Sequence, residues 1–213
     1  MVCLDLIVFL GFGGAHPPSF ILVVDYFRVE SGKKGRSICV GPARVGIRDM
    51  APVEKLVPLV TVGGTFDVLH KGHWFLLEEA FNVADRVVIG LTTDAFVARM
   101  RKSHTVDSFL NRRAELERFL VERGLEGRAE VVPIEDRFGP TIDARPRAGV
   151  IEGILVSEET EEGAEEINRI RVADGMKPLL IVVVMMVMAD DGKPISSTRI
   201  RRQEVDRFGR LVG

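Results

Sequence analysis

One turn constrains this chain more than anything else in it. Val62-Gly63-Gly64-Thr65-Phe66-Asp67-Val68-Leu69-His70-Lys71-Gly72-His73 puts a glycine pair and two imidazoles between an apolar run and an amphipathic one. Leu59 to Val62 is apolar and partly β-branched, as a strand buried on both faces requires, and Trp74 to Val83 carries its apolar residues at helical spacing. The turn is therefore a strand-to-helix handover. Gly63 and Gly64 let backbone approach a ligand without Cβ interference, Gly72 relieves crowding at the helix entrance, and the unbonded amides of a helix start favour an anion. His70 and His73, three residues apart, can face one phosphate. A pair of histidines at this spacing also suits a surface helix or a metal site. A metal needs a third ligand, and His16 and His104 stand near no cysteine cluster or paired carboxylates. Zinc is not expected.

Near the other end, Gly192, Lys193 and Pro194 form a turn, and Ser196, Ser197 and Thr198 open a short helix. Its first amides and hydroxyls can take a second phosphate, and Arg201, one turn on, can add fixed positive charge. Plain N-capping explains the hydroxyl run equally well when it is read alone.

Gly64-Thr65-Phe66-Asp67 followed by His70-Lys71-Gly72-His73, with Ile195-Ser196-Ser197-Thr198-Arg199-Ile200-Arg201 in the right order behind it, resembles the GTFD, HxGH and ISSTxIR signatures of the nucleotidyltransferase superfamily. Val156-Ser157-Glu158-Glu159-Thr160, Gly163-Ala164, Ile167-Asn168, Arg171, Gly175 and Lys177-Pro178-Leu179 are similar to the archaeal and eukaryotic type of phosphopantetheine adenylyltransferase. The likeness covers nearly all of residues 59–209. It departs at Gln203, where glycine is expected, and in the Arg-Pro-Arg stretch of Asp143 to Gly149.

The resemblance implies an α/β fold, a Rossmann-like parallel sheet of about five strands with helices on both faces. It also implies adenylyl transfer from ATP to 4'-phosphopantetheine, giving dephospho-coenzyme A and pyrophosphate. His73 and His70 are expected at the α-phosphate, and Ser196, Ser197, Thr198 and Arg201 at the leaving phosphates. Thr65 and Lys102 are expected at the acceptor phosphate. Gly63, Gly64, Phe66, Asp67 and Gly72 shape the nucleotide site, and Ser157 meets the adenine or ribose. Mg²⁺ is expected on the triphosphate, held by phosphate oxygens and water. Lys102 sits among Arg99 and Arg101, where a solvated basic face is the competing explanation. Asp67 either orders the turn by accepting backbone N–H groups or touches substrate. Glu158 and Glu159 suit a helix N-terminus, and His104 has no distinctive setting. The rival activities are cytidylyl transfer to another small phosphate acceptor and nucleotide sensing without catalysis.

The periodicity predicts further elements in a regular order. A strand over Arg86 to Thr92 precedes a helix capped by Thr93 or Asp94 and running to about Arg101. After a loop at Lys102, Ser103 and His104, Asp107 caps a helix with Leu110, Ala114, Phe119 and Leu120 on one face, stopped by Gly124. Strands follow at Ala129 to Ile134 and Ile151 to Val156, with a loop at Asp136 to Thr141 between them. A helix ending near Gly175 and a last strand, Leu179 to Met188, complete the set. Such alternation gives a parallel sheet with ligands beyond its strand ends.

A chain of 213 residues with 46% apolar composition can bury a core, and a net charge of −2 with one Trp and one Tyr gives nucleic acid little to bind. The apolar run Leu179 to Ala189 is about half the ~20 residues a bilayer requires, so no membrane association is expected. The two cysteines, Cys3 and Cys39, make no disulfide framework and suit a reducing cytoplasm. Residues 1–49 differ in texture, being dense in Gly and Pro with strand-like runs at Val2 to Leu10 and Phe20 to Phe27. They are expected to be an atypical N-terminal extension or translated upstream sequence before a start at Met50, with residues 50–213 forming the nucleotidyltransferase domain. The sequence specifies no oligomeric state.

Overall fold

The computed structural model describes residues 55–102, 104–142 and 151–213, together with the backbone of five strands in the N-terminal stretch. Those strands are β1 (Ile7–Val8), β2 (Leu22–Val23), β3 (Arg28–Gly32), β4 (Gly35–Val40) and β5 (Arg44–Val45). β1, β2 and β5 form a small antiparallel sheet. The strand-like run expected at Val2 to Leu10 is described only at β1, and the one at Phe20 to Phe27 only at β2. Expectations for Ser103 and for Asp143 to Gly149 lie outside the described residues.

Five parallel strands carry the fold: β6 (Val57–Gly64), β7 (Ala84–Thr92), β8 (Ala129–Ile134), β9 (Gly153–Ser157) and β10 (Leu180–Val184). Their spatial order is β10-β9-β6-β7-β8, and β4 followed by β3 extends the β10 edge. Helix α1 (Lys71–Val83) follows β6, α2 (Asp94–Arg99) and α3 (Phe109–Glu122) both lie between β7 and β8, α4 (Glu161–Ala173) joins β9 to β10, and α5 (Ser197–Arg201) follows β10. Side-chain alternation sorts the core into two layers. Val60, Val62, Ile89, Leu91, Leu155, Val182 and Val184 pack with Leu77, Ala80 and Phe81 of α1 and Leu116, Phe119 and Leu120 of α3. Ile154, Val156, Ile181 and Val183 meet Ala164 and Ile167 of α4 on the opposite side. No helix among the described residues is long and apolar enough to cross a membrane.

The strand order reverses direction between β6 and β9. These two strands pair only from Val60 opposite Gly153 to Val62 opposite Leu155, although each runs two residues further. Past that point they part, and an open sheet binds ligands at such a switch.

Three sequence expectations need correction. The last strand stops at Val184, not Met188, because its partner β9 ends at Ser157 directly opposite. Beyond it, Met186 N donates to Glu158 Oε2 and Met188 pairs with Pro194. Helix α3 is capped by Ser108, whose Oγ accepts from Asn111 N at 3.3 Å, rather than by Asp107. Its buried face is Arg112, Leu116, Phe119 and Leu120, while Leu110 is 74% exposed and Ala114 is exposed too. The face is shifted because Arg112 is drawn inward by four hydrogen bonds. It donates to Asp107 O (2.8 Å), Thr65 O (2.9 Å), Thr92 Oγ1 (3.2 Å) and Asp94 Oδ1 (2.9 Å). A guanidinium only 1% exposed would be costly without such a set.

Candidate active site

A cleft of about 820 Å³ opens where β6 and β9 part, and every strand of the parallel set reaches it at the carboxyl end. Gly63, Gly64, Thr92, Ile134, Val156, Ser157 and Val184 line it from the strands. Thr65, Phe66, Asp67, His70, Gly72 and His73 line it from the turn, Lys102 and His104 from the next loop, and Ser196, Ser197 and Thr198 from α5. The residues expected at one ligand therefore share one cavity, with the exception of Arg201.

The turn is shaped for more than chain reversal. Phe66 and Val68 both take φ of +48°, which non-glycine residues adopt at a cost of roughly 1–3 kcal/mol each. Both side chains are buried, and that packing holds the conformation. Gly64 is required by the same fold of the turn, since a Cβ there would lie 2.9 Å from the Phe66 ring. At Gly72 a Cβ would stand 3.1 Å from the His70 imidazole, tight enough that the ring would have to shift by a few tenths of an ångström.

His70 caps α1, its Nδ1 accepting from Gly72 N at 3.2 Å. A nitrogen that accepts carries no proton, so the hydrogen of the neutral ring is on Nε2. The His73 ring stacks on His70 with centroids 3.8 Å apart and is tilted against Phe66 at 5.3 Å. Burial pulls the His70 pKa down to about 4, with Arg207 adding to the effect and Asp67 opposing it. Burial also holds His73 well below the ordinary histidine value, assisted by His70 and Lys102. Two stacked imidazoles cannot both be charged in so dry a place, so at neutral pH they act as N–H donors. Desolvation lowers the Lys102 pKa too, against the attraction of Asp67 and with help from Arg112.

Asp67 does not touch the glycine pair. Its carboxylate, 1% exposed, accepts from Arg201 Nη2 (2.8 Å) and Nε (3.2 Å) and from Asp107 N (3.0 Å). Burial alone would raise its pKa, but the Arg201 bonds and the Asp107 amide outweigh that and lower it. Arg201 also bonds Asp107 Oδ1 at 2.9 Å. The guanidinium expected at the leaving phosphates lies outside the cleft lining, engaged by the carboxylates of Asp67 and Asp107, and it straps α5 to the turn.

Helix α5 is fixed by its own hydroxyls. Ser196 Oγ accepts from Arg199 N (3.3 Å), Ser197 Oγ donates to Asp67 O (2.5 Å), and Thr198 Oγ1 lies 3.1 Å from His104 Nδ1. What Ser197 and Thr198 offer the cleft in addition is the pair of amides that a first helical turn leaves unbonded. Ser157 Oγ lies 3.2 Å from Thr160 Oγ1 at the far wall. Among the described residues no three His, Cys, Asp or Glu side chains gather into a metal-binding group. Sequence reasoning missed Arg112, Asp107 and His104, all of which act through tertiary contacts with no spacing signal.

A parallel-sheet switch point, two stacked and buried imidazoles and the start of a short helix meet on one cleft, the arrangement a nucleotidyltransferase requires. The profile of the cytidylyltransferase-like family matches residues 61–203. The phosphopantetheine adenylyltransferase of Methanosarcina mazei is 46% identical over 158 residues, spanning 73% of this chain and 97% of that protein. That of Methanopyrus kandleri is 48% identical over 147 residues, or 69% and 90%. A solved structure of a protein of unknown function from Archaeoglobus fulgidus superposes with a TM-score of 0.52 at 33% identity, covering 60% of this chain and 89% of its own. The chain belongs to the cytidylyltransferase-like family and, within it, to the phosphopantetheine adenylyltransferases.

Proposed function

We propose that the chain transfers the adenylyl group of ATP to 4'-phosphopantetheine, yielding dephospho-coenzyme A and pyrophosphate. The observation that carries this is the meeting of both signature segments on one cleft, locked by the Ser197 to Asp67 hydrogen bond. A phosphate oxygen of the acceptor attacks the α-phosphorus, the bond from that phosphorus to the bridging oxygen breaks, and pyrophosphate leaves with the electron pair. No enzyme nucleophile is needed, because the acceptor supplies one and the leaving group is good. The protein's work is alignment and charge neutralisation.

The neutral N–H groups of His70 and His73 suit the α-phosphate, where negative charge grows in the transition state. The Ser197 and Thr198 amides, with the Thr198 hydroxyl, suit the departing phosphates at the opposite wall. Lys102 and Thr65 serve the acceptor phosphate, with Arg112 holding Thr65 from behind through its carbonyl. Mg²⁺ arrives with the triphosphate as part of the substrate, held by phosphate oxygens and water. Ser157, Met185 and Met186 line the remaining wall, where the base would lie.

Pyrophosphate release, followed with ATP or CTP against 4'-phosphopantetheine, nicotinamide mononucleotide and glycerol phosphate, tests the proposal. Turnover is expected with ATP and 4'-phosphopantetheine. Release with CTP only, or tight ATP binding with no turnover on any acceptor, would reject it.

A further inference from the structure

His104 is the third imidazole of the cleft, and the chemistry above leaves it without a task. It follows Lys102 by two residues, in the loop between α2 and α3, and its side chain is only 10% exposed. Its two ring nitrogens face different partners. Nδ1 lies 3.1 Å from Thr198 Oγ1, a contact between residues 94 apart in the chain. Nε2 points toward Asp67 Oδ2 at 3.4 Å, yet makes no hydrogen bond there. Asp67 meanwhile takes its hydrogen bonds from Arg201 and the Asp107 amide. The hydrogen bond the His104 ring makes is the one to Thr198, while Asp67 faces its other nitrogen as a neighbouring charge.

The bond joins two parts of the cleft with different duties. The Lys102 loop belongs to the acceptor side, and Thr198 stands in the first turn of α5 on the side of the leaving phosphates. A threonine hydroxyl rotates freely unless something fixes it. One neighbour at 3.1 Å is enough to select a single rotamer and a single direction for its hydrogen-bonding capacity. We infer that His104 is a positioning residue for the leaving phosphates: through Nδ1 it sets the Thr198 hydroxyl, and it thereby joins the acceptor loop to the pyrophosphate wall. This rests on the proposed transfer for the meaning of the two walls. The coupling itself rests only on the hydrogen bond.

Two substitutions separate the ring's two nitrogens. In His104→Asn the side-chain amide occupies the place of Nδ1 and keeps Thr198 in reach, while the Asp67 side is abandoned. In His104→Gln the amide reaches the place of Nε2 and abandons Thr198. Magnesium pyrophosphate binding, measured by titration calorimetry, reads the leaving-phosphate wall without any need for turnover. His104→Ala and Thr198→Val should each weaken it about tenfold, the loss of one well-placed hydrogen bond. The double variant should be no weaker than either alone, since the two side chains act as one unit. His104→Asn should bind within about threefold of wild type and His104→Gln should match His104→Ala.

Under turnover, kcat should follow the same ranking, and KM for the acceptor should move less than about threefold. The inference is overturned if the two losses simply multiply, if His104→Gln rescues and His104→Asn does not, or if the whole effect falls on acceptor KM, which would place His104 behind Lys102 instead. Should His104→Ala fail to fold, the Asn and Gln pair decides the matter. Absence of turnover in wild type would remove the proposed function and leave the pyrophosphate coupling still measurable.

Discussion

Replacing Arg201 by methionine separates a strap from a phosphate ligand. The change keeps most of the side-chain stem and removes the charge. Asp67 would remain 1% exposed with the Asp107 amide as its one remaining hydrogen-bond donor. Breaking a buried ion pair by deleting one member costs about 3–5 kcal/mol. Arg201 is itself 29% exposed, so the lower end applies, roughly 3 kcal/mol. For a folded unit of this size each kcal/mol moves Tm by about 2–4 °C, so a fall of about 6–12 °C is expected. Asp67→Asn keeps the acceptor for Asp107 N and should cost less, about 1.5 kcal/mol. The assay is thermal and urea unfolding of wild type, Arg201→Met and Asp67→Asn without nucleotide, paired with calorimetric titration of MgATP. If Arg201→Met melts within 2 °C of wild type, a margin of about 1 kcal/mol or less, while MgATP binding weakens tenfold or more, the strap is wrong and Arg201 belongs to the triphosphate.

Three further outcomes are expected. His73→Ala should lower kcat by about a hundredfold or more with a much smaller change in KM for ATP, because its N–H acts where charge develops; steady-state kinetics checks the split. The His70 pKa of about 4 lies below the unfolded value of 6.5, so the unfolded chain binds the extra proton in between. Stability contributed by neutral His70 is complete above pH 6.5 and is lost as pH falls toward 4, by about 3 kcal/mol, and His70→Gln should flatten that part of a urea-unfolding series. Gly72→Ala places a methyl against the His70 ring and should reduce kcat while changing Tm by only a few degrees, as activity and melting measured together will show.

The central parallel strands were legible because a strand buried on both faces is written as a near-continuous apolar run, as in Val87 to Leu91 of β7; the half-buried edge strand β8 also lies where the sequence puts it, Ala129–Ile134. The end of β10 was not, because apolarity continues through Met188 while the backbone partner stops at Ser157. The glycine turn and the start of α5 were legible as local patterns. Arg112 was not: a charged residue amid polar neighbours reads as surface until the carbonyl of Thr65, forty-seven positions away, turns out to need it. Asp107 and His104 escaped for the same reason, since their partners Arg201 and Thr198 are distant in the chain. Single-residue roles in this cleft are set by long-range pairing, which periodicity does not encode.

The left-handed backbone at Val68 bears on attempts to make the protein hardier. Changing that residue to glycine would remove the left-handed strain, and with it a buried side chain that packs the turn just ahead of Leu69 and His70. An engineer seeking heat resistance should leave this cleft-lining corner alone and work on the solvent side of α3, where Leu110 stands open to water outside the cleft lining.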